Sequence, residues 1–427
     1  MSTLFLYLAL FGVLFAVGAP VALSLAVAAA AMLMLKGIDL IVFAQKFMVS
    51  MDNFGLTAMF FFILAGEIMN GGGMTRRIVA AVSRLVKGFP GGLAIVTLVS
   101  STVFAAINGS AIATMLAIGA IMYPAMVRQG YSPAFSVATI GAGGVVGPII
   151  PPSIPMIVYG STTGDSVAAL FMGGFLIGAL IVLAEIAVAY WISKKHGWGT
   201  SVLDIDFGDT KGIAWALVFP VMIMASIVSG MMTPTETASM AVMYAWFVGA
   251  FIYREFSIRD LPAMTAAAMK GSAAVMAIVG AATAVGWILT YERVPQQITE
   301  VLVATISSPL AFMAISFCIL FVVGMIMDLT PAILILTPIF VGPVAAFGVD
   351  PIYFGVFFCA TLTAGLVTPP VGTLIYLGCS MSGSSLSEVV KELMPYVIAV
   401  YAALFVSVAF PGIITYLPKT VLQLYGN

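Results

Sequence analysis

Apolar runs recur along this chain, and most are long enough to cross a lipid bilayer as a helix, which takes about 17 to 25 residues. Of the 427 residues, 62% are hydrophobic and only 8% are charged. A soluble protein of this size carries about 25% charged residues. The sequence therefore predicts an all-α polytopic membrane protein. The net charge of −1 gives no reason to expect a nucleic-acid partner.

Two pairs of apolar runs are joined by only four residues each. Runs 90–106 and 111–123 flank "INGS", and runs 309–326 and 331–345 flank "MDLT". Loops at a membrane surface are usually longer and more polar, so we predict two re-entrant helical hairpins. Non-helical backbone at mid-membrane is tolerated only inside protein or beside a cavity. The alternative is a pair of ordinary short spans joined by a tight turn.

Two other runs are interrupted by proline. The motif "GPIIPPSIP" breaks run 132–158, and "GLVTPP" breaks run 352–378. Proline removes a backbone donor and disfavours a helical turn before it, so both runs are predicted to be broken helices. Freed carbonyls can coordinate a cation, and half-helix N-termini can face an anion. The alternative for each cluster is a packing kink.

The hairpins and breaks recur at a nearly constant spacing, which predicts an internal duplication. Gly147 and Gly365 open the two proline motifs 218 residues apart, and Pro90 and Pro309 precede the two hairpins. We divide the chain into N-terminal scaffold spans, a first repeat, central scaffold spans and a second repeat. These parts cover residues 1–72, 73–194, 195–290 and 291–427. Run 3–35 forms either one span or two.

The loop charges indicate that the two repeats are inverted. Segments 73–88, 256–271 and 291–308 mix charged and apolar residues as interfacial amphipathic helices do. The first carries four basic residues, Arg76, Arg77, Arg84 and Lys87, and is predicted to face the cytoplasm. Five crossings separate the hairpins, so the second enters from the opposite face. Inverted repeats with broken helices are typical of secondary transporters, with the binding site near mid-membrane.

The hairpins and broken helices hold almost no charge, which bears on the substrate. Asp328 is the only charged residue within 90–124, 132–164, 309–343 and 353–386. Proton-coupled transporters usually place acidic or histidine relays at this depth, so Na⁺ coupling is favoured. Helix N-termini, hydroxyls, amides and bound cations could then hold a small organic anion. Asn108 and Asp328 have an alternative role as helix caps, while Glu67 is expected at the interface and Glu185 in a buried ion pair.

Six motifs resemble the large membrane subunit of tripartite ATP-independent periplasmic (TRAP) transporters. They are "FFILAGEIMNGGG" (61–73), "INGSAIAT" (107–114), "GPIIPPSIP" (147–155), "TPTETA" (233–238), "MDLTPAILILTPI" (327–339) and "TPPVGTLIYLG" (368–378). The resemblance implies an elevator-type transporter of the bacterial inner membrane, and no enzyme. It implies Na⁺-driven uptake of an organic acid such as a C4-dicarboxylate or sialic acid. It also implies a small four-helix membrane subunit and a periplasmic substrate-binding protein as partners.

The same resemblance places two Na⁺ sites and a substrate site. The first Na⁺ site falls on Ser101, Asn108, Gly143, Val146 and Pro148. The second falls on Gly324, Gly365, Thr368 and Val371, with both a hydroxyl and a carbonyl of Thr368 expected to face the ion. Substrate is expected near Asn108, Ser110, Ser153, Asp328 and Thr330. An ion or anion antiporter or channel that needs no partner would share the hairpins and remains the alternative.

Overall fold

The structure is a computed structural model that describes residues 2–86, 89–199 and 212–425. Lys87 and most of the polar stretch 194–211 therefore lie outside the described residues. Every regular element within these ranges is helical, and seven helices there are long and apolar enough to cross a membrane. The predicted all-α membrane fold is thus confirmed.

The N-terminal helices are α1 (Ser2–Ala16), α2 (Val21–Leu35), α3 (Ile41–Met51) and α4 (Phe54–Gly71). Run 3–35 is therefore two helices. The backbone turns at Gly18, whose φ of +83° suits glycine, and Pro20 precedes α2.

The first set of six helices contains an arm, a hairpin, a broken helix and a long span. They are α5 (Met74–Leu85), α6 (Gly92–Asn108), α7 (Ala111–Arg128), α8 (Pro133–Val145), α9 (Ile154–Thr163) and α10 (Val167–His196). The hairpin tip is only Gly109 and Ser110, and the Ser110 hydroxyl accepts a hydrogen bond from the Ala113 N–H at 3.4 Å. The predicted pair of helices with a short tip and the predicted break are both present, while the re-entrant depth of the pair stays a prediction.

The central helices are α11 (Ile213–Val228), α12 (Pro234–Phe247), which ends in a π-helical turn (Val248–Ile252), and α13 (Leu261–Tyr291). The prediction of a separate amphipathic helix over 256–271 is wrong, because α13 runs through it and through the following span without a break. Pro262 lies in the first turn of α13, where a missing N–H does not interrupt the helix, and no other proline follows before Tyr291. The helix is about 46 Å long at 1.5 Å per residue.

The second set of six helices repeats the first in order. They are α14 (Val294–Thr305), α15 (Pro309–Ile326), α16 (Leu329–Ala346), α17 (Pro351–Gly365), α18 (Thr373–Ser382) and α19 (Leu386–Ala409), followed by α20 (Gly412–Tyr425). Each begins 217 to 220 residues after its counterpart, as Pro133 and Pro351 show. This order agrees with the predicted duplication. The inverted orientation and the four part boundaries stay predictions.

The two sets interlock through their broken helices. Helix α18 packs on α8, α9 packs on α16 and α17, and α10 packs on α19. Tyr396 on α19 and Thr139 on α8 share a buried hydrogen bond of 2.9 Å between their hydroxyls. The other helices form a second group, in which α4 packs on α12, and α13 on α2, α3 and α4. The hairpin tips are thus held between two packed bodies.

Candidate functional site

A cavity of about 740 Å³ lies between the two hairpin tips and the helices α4, α5 and α13. Its polar and charged lining consists of Glu67, Asn70, Thr75, Arg76, Asn108, Ser110, Asp328 and Thr330. Four of the five residues predicted to bind substrate are therefore brought together in one space. The cavity extends from the tips to the N-terminal end of α5.

Asn108 is the last residue of α6 and is almost fully buried. Its side-chain oxygen accepts hydrogen bonds from the Ser110 N–H at 2.7 Å and from the Thr114 hydroxyl at 3.3 Å. These bonds fix the backbone of the first tip, so the alternative role of Asn108 in capping a helix end is supported. The amide nitrogen of Asn108 is also buried, and among the described residues it has no hydrogen-bond partner. A buried donor without a partner needs an explanation, and an anion bound at this wall of the cavity would supply the missing partner.

Asp328 occupies the N-cap position of α16 at the second tip. Its side chain makes no capping hydrogen bond, and it is exposed to the cavity. Asp328 thus holds the N-cap position that was one of its two predicted roles, and its carboxylate also faces the cavity. Thr330, the second residue of α16, lines the same wall.

Ser153 does not reach the cavity. It is fully buried as the N-cap of α9, where its hydroxyl donates to the Pro148 carbonyl and accepts from the Met156 N–H at 3.3 Å. Both hydrogen-bonding roles of the hydroxyl are thus used by the backbone of the break. The prediction that Ser153 lies at the substrate position is corrected: it supports the first broken helix from behind.

The residues predicted for the first Na⁺ site lie at three places. Ser101 on α6 faces Gly143 on α8, since a Cβ at Gly143 would lie 2.7 Å from the Ser101 hydroxyl oxygen. That hydroxyl is buried and has no partner within the described ranges, so it fits an oxygen ligand for a hard cation. Asn108 lies seven residues further along α6, about 10 Å away at 1.5 Å per residue.

The remaining two members of the first set lie in the break after α8. The Val146 carbonyl accepts from the Ile150 N–H at 2.9 Å, and the Pro148 carbonyl accepts from Ser153. The Val146 carbonyl also accepts from the Ile149 N–H at 3.1 Å, so both of its lone pairs are used. The Pro148 carbonyl has a second lone pair and keeps room for one more ligand.

The second set centres on a close crossing of α15 and α17. A Cβ added at Gly365 would overlap the backbone of Gly324, so only glycine lets the two helices meet there. The crossing brings the carbonyl of Gly324 against Gly365 and the carbonyl of Leu362 against Gly324. Val371 follows in the break and is 38% exposed.

The hydroxyl of Thr368 has partners that the sequence did not predict. It lies 2.8 Å from the Ala364 carbonyl and 3.1 Å from the Tyr401 hydroxyl, so it is already bonded on the α19 side. The Gly365 carbonyl lacks its usual helical donor, as expected, because the residue four positions on is Pro369; it accepts instead from the Thr368 N–H at 2.9 Å. A tighter turn replaces the lost helical bonds. Only the Thr368 carbonyl remains a candidate ligand.

Several cavity residues were not assigned to the site from the sequence. Gly66 allows α4 to approach the first tip, since a Cβ there would lie 2.9 Å from the Asn108 Cβ. Glu67, Asn70 and Arg76 also line the cavity. The motif at 61–73 signalled part of this wall, whereas Arg76 was interpreted only as a marker of topology. The site therefore does include a cationic side chain.

Two further polar features lie outside the cavity. The motif "TPTETA" caps α12, because the Glu236 side chain accepts from the Thr233 N–H at 2.7 Å and the Thr233 hydroxyl accepts from the Glu236 N–H at 3.3 Å. Glu185 on α10 is fully buried, and within the described residues neither of its carboxylate oxygens has a hydrogen-bond partner. The expected buried ion pair of Glu185 is thus absent there.

Two repeated hairpins and two broken helices around one central cavity define a secondary-transporter fold. The solved structure of the YdaH transporter from Alcanivorax borkumensis matches with a TM-score of 0.63 at 13% identity, over 87% of this chain and 88% of that one. This likeness concerns the fold alone.

The family model "Tripartite ATP-independent periplasmic transporter, DctM component" matches residues 8–413. The chain belongs to this family. It is 37% identical over 97% of its length to an isethionate TRAP transporter permease protein of Oleidesulfovibrio alaskensis, of which it covers 65%. It is 31% identical to a sialic acid TRAP transporter large permease protein of Vibrio cholerae, over 97% of this chain and 98% of that one. Both relatives are named as permease proteins of TRAP transporters.

Proposed function

We propose that this chain carries out Na⁺-coupled uptake of a small organic acid across a bacterial inner membrane. A periplasmic binding protein delivers the acid, and a small membrane subunit completes the scaffold. The observation that carries the proposal is the cavity that both hairpin tips line, with an unpartnered donor on Asn108 and an available carboxylate on Asp328. Isethionate and sialic acid, named for two relatives, are both organic acids.

The cavity offers hydrogen-bond donors to an anion from both tips. The Asn108 amide, the Ser110 hydroxyl and the Thr330 hydroxyl all belong to lining residues. The positive N-terminal ends of α7 and α16, each 18 residues long, begin at the same tips. These groups bind and orient an acidic substrate between the hairpins.

Asp328 gives a physical reason for cation coupling. A substrate carboxylate near the Asp328 carboxylate is repelled by about 1 kcal/mol at 4 Å in water and by about 4 kcal/mol at an effective dielectric constant of 20. Na⁺ ions held beside the tips offset this repulsion. The Ser101 hydroxyl and the carbonyls at the Gly324–Gly365 crossing are the oxygen ligands we propose for them. Anion binding then becomes favourable only with the cations present.

The cavity reaches the arm α5, which the loop charges place on the cytoplasmic side. This supports our proposal that the structure corresponds to an inward-open state and that the protein is an elevator transporter. In this mechanism the hairpins and broken helices move as a body against the scaffold of α2, α3, α4, α12 and α13.

Reconstitution tests the proposal. The chain, its small subunit and its binding protein are placed in proteoliposome assays with labelled isethionate, sialic acid and succinate as probes. Uptake of at least one probe is expected under an inward Na⁺ gradient and not under a K⁺ gradient. Omitting the binding protein or the small subunit should abolish it. Full-rate uptake by the chain alone would favour the partner-independent antiporter or channel instead.

A further inference from the structure

Arg76 is the only arginine or lysine that lines the central cavity within the part of the chain the structure describes. It is the third residue of α5, and its side chain is exposed. No acidic side chain among the described residues lies within ion-pair distance of it. Its charge therefore acts on the cavity instead of being neutralised by a neighbour.

The neighbouring Arg77 has a structural role, which provides a comparison for Arg76. The Arg77 guanidinium lies 3.0 Å from the Glu255 carboxylate, donates to the Gly73 carbonyl at 3.2 Å and stacks 4.0 Å from the centre of the Tyr253 ring. Arg77 thus attaches the arm to the helices beside it. Arg76 makes none of these contacts, so the arm does not need it for attachment.

The second repeat provides an internal comparison. Helix α14 corresponds to α5, and its third residue is Gln296. Gln296 lines a separate cavity of about 860 Å³ together with Thr299, Glu300 and Thr337. A neutral residue therefore serves at the equivalent arm position. The fold of the arm therefore does not require an arginine at this position, and Arg76 is specific to the central cavity.

We propose that Arg76 supplies the positive potential of the central cavity and draws an anionic group of the substrate toward its α5 end. This inference rests on the proposed function, because the anion is the carboxylate or sulfonate of the transported acid. Clefts with low-dielectric walls focus such a potential and concentrate ions of opposite charge. Glu67 and Asp328 carry the opposite charge on the same walls, so without Arg76 the cavity would repel anions.

A thiol-reactivity assay measures this potential without any substrate. Ala120, which is exposed and lines the cavity, is changed to cysteine after Cys318 and Cys379 are replaced by serine. The buried Cys359 is retained. Inside-out membrane vesicles that contain the chain and its small subunit react with anionic methanethiosulfonate ethylsulfonate or with its cationic trimethylammonium analogue. The ratio of the anionic rate to the cationic rate reports the local potential.

Arg76→Gln should lower this rate ratio about fivefold, and Arg76→Lys, which keeps the charge, should leave it within twofold. The matched control is Arg128→Gln, which removes the same charge from the exposed last turn of α7 and should change the ratio by less than twofold. A shift with Arg76→Gln no larger than with Arg128→Gln overturns the proposal. The proposal is also overturned if the cysteine at position 120 reacts with neither reagent in inside-out vesicles. Because the assay needs no transport, failure of Na⁺-dependent uptake would instead refute the proposed function.

Discussion

The crossing of α15 and α17 gives the sharpest test of how this fold holds a cation. In Gly365→Ala the added methyl group overlaps the backbone of Gly324. Backbone atoms cannot rotate away, and non-bonded carbon atoms need about 3.5–4.0 Å between them. The two helices must therefore move apart by more than about 1 Å.

The size of the effect follows from that displacement. Overpacking a close contact costs about 1–3 kcal/mol, and the backbone overlap places this case at the upper end. The free energy of unfolding should fall by about 3 kcal/mol, since no side chain can yield. An ion that binds one site of the folded state only, at a concentration one hundred times its dissociation constant, stabilises the protein by about 2.7 kcal/mol. Separation of the carbonyls should remove most of the contribution of this site.

The assay is thermal unfolding of the purified chain across a Na⁺ titration, with K⁺ at constant ionic strength as the reference. The melting temperature of Gly365→Ala should be several degrees lower than that of wild type. The increase in melting temperature that Na⁺ causes should be less than half of the wild-type increase. The matched control is Gly141→Ala in α8, where the added methyl group meets only Met115, at 3.8 Å. That control should change neither quantity. A Gly365→Ala protein with a wild-type Na⁺ response would refute the placement of an ion at this crossing.

Three further predictions follow from other parts of the site. Thr368→Val removes the hydrogen bonds to Ala364 and Tyr401, so the melting temperature should fall by the equivalent of about 1 kcal/mol. The Na⁺ concentration that gives half-maximal uptake should stay within twofold of wild type; a tenfold increase would show that the hydroxyl is an ion ligand. Asp328→Asn removes the repulsion that requires a cation, so calorimetric binding of the transported acid should depend less on Na⁺; unchanged dependence would contradict the coupling argument. Cysteines at positions 84 and 297 should be labelled from opposite membrane faces, and labelling from one face alone would end the inverted-repeat prediction.

The sequence predicted the features that depend on local backbone chemistry. The tip at Gly109 and Ser110 and the break before Pro152 are encoded by residues that cannot continue a helix there. The order of the two helix sets followed from the same signals. The continuity of α13 was not predicted, because the change from mixed to apolar composition at the end of segment 256–271 suggested two helices. No proline separates them, and the helix continues from one into the other.

The errors in the site have a different origin. Whether a hydroxyl faces a ligand or a neighbouring helix depends on packing between distant segments. Thr368 bonds Tyr401, 33 residues further on. Ser153 is a local exception, since its hydroxyl turns back onto Pro148 within the same break. Arg76 reaches the cavity only because α5 packs beside the first hairpin. No spacing within the sequence specifies these contacts.

The central claim is that a cation and an organic acid cross together. The most direct measurement follows labelled Na⁺ and the labelled acid at the same time in proteoliposomes that contain the chain and its two partners. The account predicts Na⁺ entry that requires the acid, acid entry that requires Na⁺, and a fixed ratio between the two fluxes. Acid entry at an unchanged rate without any accompanying Na⁺ would contradict it.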